Sequence, residues 1–169
     1  EAFALLQSTF HELWARKYSS TMRSDLRYAP TNCFDTFPFP PEDAMASSAG
    51  IGEAYYQHRE AILQSRQIGL TECYNRFHDP ENQDEDIVRL RELHRTLDQA
   101  VATAYGWTDL ELKHGFYTHR SIGEERYTLA PEQQDEVLRR LLDLNHAQAA
   151  ARQVTAPRSP RRKRGMSRR

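Results

Sequence analysis

The chain has 169 residues with 23 Lys and Arg against 24 Asp and Glu, 7 His, 2 Cys and a formal net charge of -1. That length suits one domain, or one domain with a tail, able to bury roughly two thirds of its unfolded surface. Mean hydropathy is -0.82 and no apolar run approaches the ~20 residues of a helical membrane span, so helical membrane proteins are excluded, along with collagen-like and disulfide-framework chains. Cys33 and Cys73 are lone thiols that suit a reducing cytosol.

The charge is unevenly spread. Seven basic residues (Arg158, Arg161, Arg162, Lys163, Arg164, Arg168 and Arg169) crowd the last thirteen positions with no acid among them. The remaining 156 residues hold 16 basic against 24 acidic groups, a net of -8. The chain therefore reads as an acidic body with a basic end.

In chain order, Phe3, Leu6, Phe10, Leu13, Trp14 and Tyr18 recur at helical spacing and predict one amphipathic helix from the third residue. The stripe opens without an initiator Met or a leader. A protein that starts on a helix and a piece of a longer protein both fit, and the piece is the favoured reading. Pro30, Pro38, Pro40 and Pro41 predict an extended stretch, in which Phe34, Phe37 and Phe39 pin the chain to an apolar surface partly outside it. Residues 51–68 return to helix with Ile51, Tyr55, Ile62 and Leu63 inward and a stop at Gly69. A helical turn or two at 70–77 ends before Pro80.

The clearest helix is 84–105, with Ile87, Leu90, Leu97, Val101 and Ala104 on one face, acids in its first turn and Gly106 at its end. His94 fills the open slot on that face and reads as a satisfied core or interface histidine rather than a base. His11, on the first helix, reads as surface or interface. A short strand pair is predicted at 116–117 and 126–128. Pro131 opens a final helix carrying Val137, Leu138, Leu141, Leu142 and Leu144. Residues 155–169 have one sizeable apolar side chain, Met166, and read as disordered. The fold class is mainly α: about four helices, an extended Pro/Phe-rich segment, one short strand pair and a disordered basic tail. The divisions are 1–41, 42–154 and 155–169.

The seven glycines are scattered, with no Gly-rich phosphate loop, Walker motif or nucleophile elbow, and no catalytic, cofactor-binding or metal-binding residue is assigned. His78 with Asp79, Glu81, Asp84, Glu85 and Asp86 reads as partners of a helix N-terminus on a solvated face, not a metal cluster. Trp107 and the three phenylalanines read as packing rather than base-stacking platforms. The best nucleic-acid signal lies at residues 16–28, where Arg16, Lys17, Arg23 and Arg27 mix with hydroxyls, the combination that contacts phosphate and sugar oxygens. The basic tail reads either as a non-specific electrostatic tether to DNA or as a solvated end.

Several segments carry a resemblance. FHELWAR (10–16), DLRYAPTNCFDTFPFP (25–40), GLTECYNRFHDP (69–80), residues 87–97, AYGWTDL (104–110), RYTL (126–129) and EVLRRLLDLNH (136–146) occur in the order found in large bacterial adenine-specific DNA methyltransferases. The chain resembles the C-terminal region of these type IIG and IIL restriction–modification enzymes and related phage-defence methylases, over about residues 8–146. The resemblance implies a bacterial, cytoplasmic protein that works on double-stranded DNA, at the end of the target-recognition region. It implies methyl transfer from S-adenosylmethionine to adenine N6 in the full enzymes. This chain contains neither their Asn-Pro-Pro-Tyr/Phe motif nor their Gly-rich loop, so that core would precede residue 1 or lie on another chain. The rival readings are a helical protein-interaction module with a non-specific basic tail, or a truncated remnant without function.

Overall fold

The computed structural model describes residues 2–22, 25–119 and 123–155. Arg23 and the basic tail of residues 158–169 lie outside the described residues. The chain is mostly helical. Seven α-helices are present among the described residues rather than about four: α1 (Ala2–Gln7), α2 (Thr9–Tyr18), α3 (Pro30–Cys33), α4 (Ala49–Arg66), α5 (Leu70–Phe77), α6 (Glu85–Ala104) and α7 (Pro131–Thr155). A 3-10 segment, Glu42–Ser48, precedes α4. Two antiparallel hairpins interrupt the helices, β1 (Ser20–Met22) with β2 (Asp25–Arg27), and β3 (His114–Thr118) with β4 (Glu125–Leu129). The first hairpin was not expected from the sequence. No described helix is long and apolar enough to cross a membrane.

α6 is the axis of the core. Ile87, Leu90, Leu97 and Val101 are each fully buried, at the three- and four-residue steps that place them on one face. α1, α4, α5 and the 3-10 segment pack around it, and α7 packs on α2. Gly106 follows α6 at φ +74°, a left-handed conformation that glycine adopts without strain. Trp107 then stacks on Tyr105 and Phe10. The second hairpin closes the far side, with Phe116 paired to Tyr127 and His114 to Leu129.

The single helix expected from residue 3 to residue 18 is two. Ser8 is extended (φ -71°, ψ 156°); its hydroxyl donates to Leu5 O at 2.6 Å and accepts from His11 N at 3.4 Å. One side chain thus satisfies groups at the end of α1 and at the start of α2. The Pro-rich stretch is not uniformly extended either. Pro30 sits in the first turn of α3, where its missing N–H costs no bond. Phe37 is buried inside this chain, edge-on to His11, Trp14 and Phe39, whereas Phe34 stays exposed. α4 stops at Gln67, whose φ of 52° ends the helix, and Gly69 instead precedes α5.

Pairing explains the acids before α6. Arg66 takes Asp86 through two bonds of 2.7 and 2.8 Å and Asp84 through one of 2.9 Å, tying the end of α4 to the start of α6. Among the described residues no trio of His, Cys, Asp or Glu is placed to hold a metal ion.

Candidate nucleic-acid interface

Arg16 and Lys17 stand in the last turn of α2, where cations also complement the helix dipole. The Arg16 Nε donates to Glu12 Oε1 at 2.8 Å, and Lys17 is exposed. The chain then turns into the first hairpin, in which Arg27 is the backbone partner of Ser20. That register returns Arg27 to the same end of the molecule as Lys17. Arg23 and the side chain of Arg27 lie outside the described residues.

Arg16 also lines a half-open cleft of about 250 Å³, built from distant parts of the chain. Glu12 and Arg16 come from α2, His78 from the residue after α5, His94 from α6, and Arg126 and Tyr127 from β4. Burial works to raise the Glu12 carboxyl, but the Arg16 guanidinium overrides it and holds it below its ordinary value. Burial pushes the His78 imidazole down to about 4 and also lowers His94. Both rings are therefore neutral near pH 7. The Arg126 Nε and the Nδ1 atoms of His78 and His94 are buried and meet no partner among the described residues.

Behind the cleft lies a buried polar cluster. Asp98 is fully buried; its Oδ1 accepts from Thr9 N at 2.8 Å and its Oδ2 lies 2.8 Å from His114 Nε2. His94 Nε2 is 3.0 Å from Thr9 Oγ1. Burial would raise the Asp98 carboxyl, but His94, His114 and the Thr9 amide together hold it below the usual carboxylate range. A hydroxyl, an imidazole and a carboxylate form a catalytic relay only when the imidazole bridges the other two through its opposite nitrogens, whereas here His94 Nε2 faces both Thr9 Oγ1 at 3.0 Å and Asp98 Oδ2 at 3.7 Å. Thr9 is also 1% exposed, so no substrate reaches its oxygen. The cluster ties the first turn of α2 to α6 and β3; His94 is buried, as its position on the inner face suggested, but it is not the satisfied histidine expected there, since its Nδ1 has no partner among the described residues.

His11 corrects the sequence reading, being buried rather than on the surface. Its Nε2 is 3.1 Å from the Tyr28 hydroxyl and its ring is edge-on to Phe37, and burial lowers its pKa to about 4. His78 and Arg126 were not singled out for the cleft from the sequence. Neither carries a local signal, because a lone cation in a short strand and a histidine after a helix are common surface features.

Residues 1–41 match the family model described as "MmeI, target recognition domain", and Arg16, Lys17, Arg23 and Arg27 all lie inside the matched stretch. No curated protein and no solved structure matches the chain. The match covers 41 of 169 residues and points to DNA target recognition in a restriction–modification enzyme.

Proposed function

We propose that this chain is the non-catalytic C-terminal part of a site-specific adenine-N6 DNA methyltransferase of a restriction–modification or phage-defence system, supporting recognition of double-stranded DNA. The match of residues 1–41 to a target-recognition domain carries the proposal. In support, the matched stretch holds the basic residues chosen from the sequence, and α2 presents Arg16 and Lys17 at one end beside the first hairpin. The residues here do not fit S-adenosylmethionine. The positive-φ glycines among the described residues are single turn positions at Gly106 and Gly123, not a loop of successive amides. The methyltransferase core, with that cofactor, would precede residue 1 or belong to another chain.

The test is binding of the full 169-residue chain to fluorescent duplex DNA, followed by anisotropy across salt. A DNA role predicts affinity that falls steeply between about 50 and 200 mM salt. Substituting Lys17, Arg23 or Arg27 by Gln should lower the slope of log K against log salt by about one each. Binding that ignores these substitutions and vanishes on removing residues 157–169 would overturn the proposal in favour of an interaction module with an incidental basic tail.

A further inference from the structure

We infer that the cleft between α2, α5, α6 and β4 seats one backbone phosphate of duplex DNA, gripped between Arg16 and Arg126; this rests on the DNA-recognition reading above. The inference extends the DNA-contacting surface beyond residues 1–41, to β4, in which Arg126 lies 110 positions after Arg16.

Charge is the first argument. Arg16 and Arg126 bring two positive charges to the cleft and Glu12 one negative charge, while burial keeps His78 and His94 neutral near pH 7. The described residues that line the cleft thus carry one net positive charge, which suits the single negative charge of a phosphodiester; the exposed Glu124 carboxylate that pairs with Arg126 lies outside that lining. Unspent donor capacity is the second. Arg16 commits its Nε to Glu12, and its two terminal nitrogens take no partner among the described residues. That carboxylate therefore orients the guanidinium rather than consuming it, leaving the two-pronged edge that matches phosphate oxygens. Among the described residues Arg126 pairs with the exposed Glu124 at 3.2 Å, and its buried Nε has no partner there. The buried Nδ1 atoms of His78 and His94 are equally unpaired. His94 is 7% exposed. Native interiors pair buried polar atoms; Arg126, His78 and His94 each bring to the lining one nitrogen without a partner among the described residues, and of the three the Arg126 guanidinium is a donor in every protonation state.

Size and support agree. About 250 Å³ lies below the usual range of ~300–1,000 Å³ for a small-molecule site, and suits one phosphate with its nearest sugar atoms better than a whole nucleotide cofactor. Arg91 lies under the rings of Phe116 and Tyr127 at 5.0 and 5.7 Å, which holds the strand that carries Arg126. Arg16, which lines the cleft, and the exposed Lys17 are consecutive residues in the last turn of α2.

The test uses the full chain in two measurements. In the first, duplex affinity is read by anisotropy for Arg126→Gln and Glu12→Gln, with circular dichroism confirming the fold of each. Arg126→Gln should weaken binding about tenfold at ~50 mM salt and lower the salt slope by about one. Glu12→Gln removes the negative charge among the described lining residues and should tighten binding about threefold. In the second, dimethyl phosphate is titrated against the arginine Nε–H and histidine ring resonances of the wild type. Saturable shifts at Arg126 and His78, lost in Arg126→Gln, support the site; should that variant fail to fold, the Glu12→Gln affinity and the wild-type titration decide. The proposal is overturned if Arg126→Gln keeps full affinity and slope while Lys17→Gln loses both, or if Glu12→Gln weakens binding. Shifts no greater than those from equal chloride mean an adventitious ion only, and also overturn it. Duplex binding without a cleft response leaves the DNA reading standing and sinks the cleft. A response to dimethyl phosphate without duplex binding sinks the DNA reading, and with it DNA as the source of the phosphate.

Discussion

Arg91→Met should be among the most damaging single changes in this chain. Arg91 is 6% exposed, and its guanidinium donates to four carbonyls: Phe77 O at 2.9 Å, Asn82 O at 2.8 Å, Arg76 O at 3.1 Å and Asp79 O at 2.8 Å. These are carbonyls at the end of α5 and in the loop leading to α6; Arg76 O and Asp79 O also accept from the Asp79 and Asn82 amides, so the loss falls mainly on Phe77 O and Asn82 O. Methionine preserves the apolar stem but removes every donor. Hydrogen bonds from charged groups contribute about 1.5–3 kcal/mol each. The carbonyls nearer the surface recover water, so the whole network should be worth about 3–5 kcal/mol, the range for breaking a buried charged cluster. For a chain of this length that lowers Tm by roughly 10 °C. Arg91→Lys places three donors around one point instead of a planar fork, and should recover no more than about half of the loss. Urea unfolding followed by circular dichroism measures both variants. A loss below about 1 kcal/mol for Met, or a Lys variant equal to wild type, would refute the reasoning. Because His78 follows Phe77 and Tyr127 lies over the guanidinium, the Met variant should also loosen the cleft and weaken duplex binding.

Asp98→Ala removes the acceptor that holds the first turn of α2 to α6 and β3, and should cost about 3–5 kcal/mol in the same urea assay; Asp98→Asn, which keeps a hydrogen-bonding group, should cost less, and equal losses would argue against a role for the charge. The pH dependence has a definite sign. His11 and His78 are held near 4 in the folded chain against about 6.5 when unfolded, so the unfolded state takes protons that the native state refuses and stability falls as pH drops from about 6.5 towards 4. At pH 5, unfolding should take up about two protons from this pair, readable by calorimetry in buffers of different ionisation heat; a urea midpoint unchanged from pH 7 to pH 5 would contradict it. Asp98, held low, adds stability above its ordinary range that is lost only in stronger acid. Gly52→Val should destabilise by about 1–3 kcal/mol, because a Cβ at Gly52 already meets the Ala4 Cβ at 3.0 Å, and α1 must move away from α4; an unchanged melting temperature would refute that contact.

Much of the local order was legible beforehand. The spacing of Ile87, Leu90, Leu97 and Val101 located α6, Gly106 its end and Pro131 the start of α7, because each signal depends on neighbours within one or two turns. The strand pair at 116–117 and 126–128 was read from the same kind of evidence. The break at Ser8 was not readable. The apolar stripe runs through it unbroken, and the local cap is joined by an acceptor 89 positions away, when Asp98 takes the Thr9 amide. Pro30 misled for a related reason: its ring is as suitable for a first helical turn as for an extended segment, and the packing of α3 on α2 accompanies the helical choice.

By itself the sequence determined a mainly helical body, an acidic charge set against a basic end, and a basic cluster at residues 16–27 that the target-recognition match then covered. Those properties sum over neighbouring residues. Only the tertiary structure decided that His11 is buried, that Thr9, His94, Asp98 and His114 form one buried cluster, and that Arg16 shares a cleft with His78 and Arg126. Each of these depends on which distant partner supplies a charge or a hydrogen bond once water is excluded. Periodicity along a chain says which face turns inward; it does not say what that face will meet.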